Sequence, residues 1–228
     1  VPRIVASPPM SQALFDAIKA GAAAKVNGLL AKDPSLKDAK TKEGIHAAVF
    51  ALYHGRKGIA DAILARNPTL DLHAAAAVGD LRRAQELVEE DPTAVHTVSP
   101  DGFPPMGLAA YMGHADIVEY LLSCGANVNQ AGTNPGKFTA LTGAASQGHY
   151  RAAKILVEAG ADVNYWYSGG FTPVLEAAAN GDLEMLELLV SHGGAVTAET
   201  EQGRTAVSLA MEKGHPEAAE WLRKHGAK

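Results

Sequence analysis

The sequence predicts an all-α solenoid of about seven short helix pairs, on three observations. An anchor glycine followed by His or Asp recurs after an Ala-rich segment, at Gly113, Gly148, Gly181 and Gly214, spaced 33 to 35 residues apart. Such a fixed period marks a repeat architecture. Each Ala-rich segment ends at its glycine, as a helix with a left-handed stop does. Each anchor is then followed by apolar residues at helical spacing, such as Ile117, Val118, Leu121 and Leu122, or Leu183, Leu186, Leu189 and Val190. One apolar stripe per unit of about 33 residues cannot be buried within the unit, so burial has to come from stacking on neighbours.

The same template read toward the N-terminus places anchors at Gly21, Gly55 and Gly79, in "FDAIKAGAAAKVNGLLAKDP", "VFALYHGRKGIADAILARNP" and "HAAAAVGDLRRAQELVEEDP". The copies run roughly over 11–40, 41–70, 71–97, 98–131, 132–166, 167–199 and 200–228, forming one domain over 11–228. Residues 1–10, "VPRIVASPPM", read as a flexible leader or an expression remnant, with an apolar run too short for a signal-peptide core. In the first three copies Asp33-Pro34, Asn67-Pro68 and Asp91-Pro92 close the second helix, because proline restricts the residue before it and removes a donor. Gly55 and Gly79 are only 24 residues apart. The missing residues are those that join one copy to the next, so a notch is expected there, flanked by the turns at 41–46 and 98–103. Polar residues on the terminal copies, Lys19, Lys25 and Asn27 at one end and Glu212, Lys213, Glu217, Glu220, Arg223 and Lys224 at the other, lead to the expectation that both ends are capped and the solenoid complete.

"GGFTPVLEAAANGDLEMLELLVSHGGAV", with the endings Gly125-Ala126-Asn127-Val128-Asn129 and Gly160-Ala161-Asp162-Val163-Asn164, resembles the ankyrin repeat. The irregular first copies give the whole a resemblance to bacterial ankyrin-repeat proteins. The resemblance implies a curved solenoid with β-hairpin fingers along one edge, one finger missing between the second and third copies. It also implies that His114, His149 and His215 tie one copy's backbone to the next. Departures are visible. Thr-Pro survives only at Thr172-Pro173, with His46-Ala47, Pro104-Pro105, Thr139-Ala140 and Thr205-Ala206 elsewhere, and Tyr167 stands where the family usually has Asp.

Composition narrows the function. With 47% hydrophobic and 20% charged residues the chain is that of a folded protein, and a net charge of −5 supplies no basic field for nucleic acid. No apolar run is long enough to span a membrane as a helix. The single Cys124 allows neither an intramolecular disulfide nor a thiolate cluster and fits a reducing, cytoplasmic setting. Near-motifs for chemistry fail on their surroundings. "AGTNPGKFT" lacks the first glycine and the Ser or Thr of a phosphate loop, and Ser146 falls at a helix end rather than on a strand-to-helix turn. His114, His149 and His215 occupy one position in successive copies, and His54, His192 and His225 lack partners at metal-binding spacing, so no metal and no cofactor is expected.

The expected function is therefore that of a non-enzymatic, monomeric scaffold binding a partner protein. The resemblance places contact residues on the fingers and on the first-helix ends of the concave face. Candidates are Tyr53, His54, Phe103, Tyr111, Met112, Phe138, Trp166 and Phe171. Exposed aromatic residues and Met are enriched at interfaces. For the phenylalanines a second role stays open, packing on the neighbouring finger to hold the row in register. The alternative function is a small-molecule binder or enzyme using the notch, with Tyr53, His54, His73 or His96 nearby.

Overall fold

A computed structural model describes residues 8–228. Residues 1–7 of the expected leader lie outside the described residues, while Pro8 to Met10 already open the first helix. Fourteen α-helices follow in chain order. They are α1 (Pro8–Lys19), α2 (Ala23–Lys32), α3 (Ala47–Tyr53), α4 (Lys57–Leu64), α5 (Leu72–Val78), α6 (Leu81–Glu90) and α7 (Pro105–Met112). The second half comprises α8 (Ala115–Ser123), α9 (Ala140–Gln147), α10 (Tyr150–Glu158), α11 (Pro173–Asn180), α12 (Leu183–Ser191), α13 (Ala206–Glu212) and α14 (Pro216–Lys224). Consecutive helices pack in pairs. The odd-numbered helices form one row and the even-numbered a second, which is thin both between α4 and α6 and between α12 and α14.

Local chemistry explains the boundaries. All seven anchor glycines have φ between 66° and 84°, where a Cβ would be strained. Thr139, Thr172 and Thr205 cap α9, α11 and α13 by accepting a backbone N–H into the side-chain oxygen. His46, the departure from Thr in the second pair, performs the same task. Its Nδ1 accepts the Ala48 N–H at 3.1 Å. Asp33 and Asp91 end α2 and α6 and then cap the short 3-10 turns Pro34–Asp38 and Pro92–His96.

Successive pairs are joined by recurring polar ties. Asn129 accepts from Asp162 N at 2.8 Å and donates to Gly160 O at 3.3 Å. Asn164 repeats the arrangement one pair on, with Ala195 N at 2.8 Å and Gly193 O at 2.9 Å. The imidazoles of His114, His149 and His215 each cover the anchor glycine of a preceding pair. A Cβ on Gly79, Gly113 or Gly181 would come within 2.6, 2.8 or 2.4 Å of the respective ring. His114 Nε2 also meets Ala77 O at 3.2 Å.

The link between the second and third pairs is short, as the spacing of Gly55 and Gly79 predicts. The link from α4 to α5 is 65–71, seven residues, where the other pair-to-pair links (33–46, 91–104, 124–139, 159–172, 192–205) have fourteen or sixteen. The apolar core divides at this point. One cluster runs from Leu14 to Ile63, the other from Leu70 to Ala227 with Val49 added, and Leu64 and Val78 touch both. Nothing lies within 4 Å of where a Cβ on Gly55 would stand; Asp80, at the position of the covering histidines, caps α6 by accepting the Arg83 N–H. Where fingers are expected, the chain makes tight turns. Single antiparallel bridges join Lys40 to His46, Tyr167 to Phe171 and Glu199 to Thr205, and there is no longer strand among the described residues. The polar residues expected to cap the two ends, from Lys19 to Lys224, are exposed.

Candidate functional site

Across the short link the second pair meets the turn before α7. Gly44 stands so close to Pro100 that a Cβ there would meet its Cγ at 2.8 Å. Tyr53, the last residue of α3, donates its phenolic hydrogen to Asp101 Oδ2 at 2.9 Å. The other Asp101 oxygen accepts from Ser99 Oγ, which in turn receives the Phe103 N–H at 3.0 Å and closes the turn.

Beside this contact lies a groove of about 290 Å³, lined by Tyr53, Phe103, Gly107, Leu108, Tyr111, Phe138, Thr139 and Gly143. Two glycines on helix faces leave the space that the rings border. A Cβ on Gly143 would stand 3.4 Å from that of Tyr111. Tyr53 and Tyr111 are 37% and 40% exposed, so their rings are available to a ligand.

The phenylalanines belong to a continuous aromatic ladder. Ring centroids are 6.3 Å apart from Phe103 to Phe138, 4.9 Å from Phe138 to Tyr167 and 6.3 Å from Tyr167 to Phe171. Arg204 closes the row, its guanidinium carbon 5.5 Å from the Phe171 centroid. Tyr167 is buried and its hydroxyl donates to Glu176. Burial, reinforced by the facing carboxylates of Asp101 and Glu176, pushes the Tyr53 and Tyr167 phenols far above the ordinary tyrosine range.

Of the eight candidates, the structure brings Tyr53, Phe103, Tyr111 and Phe138 together in the groove. Phe171 stands at the far end of the ladder. Trp166 is 58% exposed and lies outside the groove lining. Met112 packs on the core rather than in the groove. His54 is also turned away. It caps α3, with Nδ1 at 2.9 Å from Phe50 O and its ring on the Phe50 ring at 4.2 Å. His192 and His225 make the same bond to the carbonyl four residues back.

Sequence reasoning missed Tyr167, Asp101 and the two groove glycines. Only Tyr167 left a trace, as an aromatic where the family usually has Asp.

The notch itself encloses about 30 Å³, bordered by His46, Asp71, His73, Ser99 and Asp101 among others. His46 is 3% exposed, and with Nδ1 accepting, its remaining hydrogen sits on Nε2, which meets no partner among the described residues. His73 faces Thr97 Oγ1 at 3.4 Å, and His96 is exposed and does not border the notch. No group of three or more metal-ligating side chains converges among the described residues.

Two rows of helices stacked pair upon pair, with an aromatic-lined groove between Tyr53 and Phe138, define a helical repeat protein. The family model for ankyrin repeats (3 copies) matches residues 72–165 and 167–228, and a second, for ankyrin repeats (many copies), matches 141–190. The chain belongs to the ankyrin repeat family, whose members generally mediate protein–protein interaction. Over 93 residues, 41% of this chain, it is 34% identical to the Ankyrin repeat and SAM domain-containing protein 6 of Mus musculus, and equally to that of Rattus norvegicus. It is also 33% identical over 88 residues, 37% of the chain, to the 26S proteasome non-ATPase regulatory subunit 10 of Dictyostelium discoideum. The matched part spans 10% of the first two proteins and 36% of the third. No described helix is long and apolar enough to cross a membrane.

Proposed function

We propose that the chain is a non-enzymatic interaction module that binds a partner protein, seating one segment of it in the groove bordered by Tyr53, Phe103, Tyr111 and Phe138. The neighbouring turns, with Trp166 and Phe171, act as fingers that extend the contact. The observation that carries this reading is the groove itself, a preformed apolar recess of about 290 Å³ with two half-exposed tyrosines on its wall. Recessed aromatic anchors ringed by contacts that keep water out are where binding energy concentrates. At about 30 Å³ the notch is an order of magnitude smaller than ordinary ligand sites, which supports this reading over a catalytic cleft there. The free Cys124 suits a reducing compartment, and the cytoplasm is the setting we propose, with the chain acting as a monomer.

The test is affinity capture from the native host with wild type, Tyr111→Ala and Trp166→Ala proteins of matched thermal stability. Tyr111→Ala should weaken recovery of a specific partner by about tenfold or more, as loss of a buried aromatic anchor does. Undiminished recovery by both folded variants would remove the groove and the fingers from consideration. Light scattering at high concentration tests the monomer separately.

A further inference from the structure

Charge is divided along the chain where the apolar core is. Residues 11–70, the first two pairs, carry nine Lys and Arg against five Asp and Glu, whereas 71–228 carry ten against twenty. The smaller cluster therefore sits in a positive unit of a protein whose net charge is −5.

Four of these cations gather at one edge. Lys19 ends α1, Lys25 lies in the first turn of α2, and Arg56 and Lys57 open α4. Because α1 packs on α3 and α2 on α4, the turn joining α1 to α2 stands next to the turn joining α3 to α4. Arg56 makes the contact between them. Its guanidinium lies over Gly21, where a Cβ would meet it at 3.0 Å, and its Nη2 donates to Lys19 O at 3.4 Å. Arg56 thus stands where His114, His149 and His215 stand in later pairs, and puts a permanent charge in place of a ring. All four side chains are exposed. Lys57 has Asp61 at 3.2 Å, whereas Lys19, Lys25 and Arg56 form no ion pair among the described residues.

Capping the end of the stack accounts for polarity here and leaves the sign unexplained, since an end pair needs only a polar outer face. The C-terminal end meets that need with mixed charges that pair, Arg204 with Glu212 and Lys224 with Glu220. The edge of the first two pairs meets it with one sign. A one-signed surface repels itself and serves to draw a ligand of opposite charge.

We propose that the edge formed by Lys19, Lys25, Arg56 and Lys57 docks an acidic segment of a partner protein, a short run of Asp and Glu. Arg56, held by its contact with Gly21, offers a planar fork to a carboxylate, and the lysines add attraction without fixed geometry. A short acidic segment suits the edge better than a nucleic acid, whose phosphates would continue onto the negative remainder of the protein. None of the four lines the aromatic groove, so the proposal stands without it.

The test titrates the isotope-labelled full chain with acetyl-Gly-Glu-Glu-Glu-Glu-Gly-amide, with its counterpart carrying Gln for Glu, and with an oligothymidylate of equal charge. The Glu peptide should move the amide resonances of 19–25 and 54–57 and leave those of Thr139 and Gly143 in place. The Gln peptide should move neither set. Lys25→Gln and Arg56→Gln should each weaken the Glu peptide by about 2- to 5-fold, as loss of one exposed ion pair does. Lys32→Gln, an equally exposed cation at the other end of α2, should not. Added salt should lower the affinity. Equal binding of the two peptides, an equal loss in Lys32→Gln, or shifts away from the edge would each overturn the proposal. Tighter binding of the oligothymidylate would overturn it in favour of nucleic acid. Mass that grows with concentration in light scattering at low salt, and is abolished by Arg56→Gln, would overturn it in favour of the acidic surface of a second copy.

Discussion

The Tyr53 hydroxyl and the Asp101 carboxylate, 2.9 Å apart, tie the end of α3 to the turn before α7, across the place where the apolar core divides. Tyr53 ends α3, most of whose buried residues belong to the N-terminal apolar cluster, whereas Asp101 sits in the turn before α7, whose buried residues belong to the larger one. Tyr53→Phe removes the bond and keeps the ring. We expect a loss of about 1 kcal/mol in urea unfolding, the usual net value of such a bond. Hydrogen exchange should show faster opening confined to α1–α4. Uniform acceleration along the chain would mean the two clusters unfold as one.

Gly181 and Gly214 occupy equivalent anchors, with φ of 67° and 84°, but only Gly181 lies under a histidine. Alanine at either position costs about 1–2 kcal/mol for the left-handed backbone. Gly181→Ala carries an added penalty, because its Cβ would stand 2.4 Å from the His215 ring. Denaturation should rank it clearly below Gly214→Ala, and His215→Ala in the same chain should recover the difference. Equal losses would show that the ring moves aside freely.

His46 links pH to stability. Burial holds its pKa below the ordinary histidine value, with Asp71 and Asp38 opposing and Lys40 assisting. The unfolded chain therefore takes up this proton before the folded protein does. The contribution is whole above about pH 6.5, the unfolded value, and is lost as pH falls from there toward the folded pKa. His73 and His114, also lowered by burial, act with the same sign. Urea midpoints should be flat between about pH 7 and 8 and fall toward pH 5. His46→Thr, which restores the capping hydroxyl of the other pairs, should keep stability at neutral pH and flatten the decline. An unchanged slope would assign it to other groups.

Tyr167 and Trp166 are adjacent and opposite in kind. Tyr167 is 5% exposed and bridges two rungs of the ladder, while Trp166 is 58% exposed. Tyr167→Ala should cost about 3 kcal/mol or more, the range for a large buried ring. Trp166→Ala should stay within about 0.5 kcal/mol, as surface changes do. A large effect at Trp166 would reveal a fold role and weaken its assignment to the fingers.

Periodicity made the architecture legible. The glycine anchors, the helix pairs and the short link between Gly55 and Gly79 all follow from spacing, because a left-handed stop and an apolar stripe leave direct marks on residue order. The site was half legible. Exposed rings at first-helix ends and turns pointed to Tyr53, Phe103, Tyr111 and Phe138. His54 and Met112 share that neighbourhood in sequence, yet a helix turns by about 100° per residue and sends them elsewhere. Asp101 was hidden because its meaning comes from a partner 48 positions away. Tyr167 was hidden because only the distance between rings separates a rung from a solvent-facing aromatic.

The seven-residue link at 65–71 also sets how the chain answers a mechanical load. Between the fourth and sixth pairs, tension is shared by interlocking side chains and by the amides of Asn129 and Asn164. At that link a few polar contacts and the rims of two oil drops bear it. Stretched from its ends, the protein should part there first, releasing α1–α4 while the remainder holds. A partner gripping both Tyr53 and Phe138 would act as a splint across the seam.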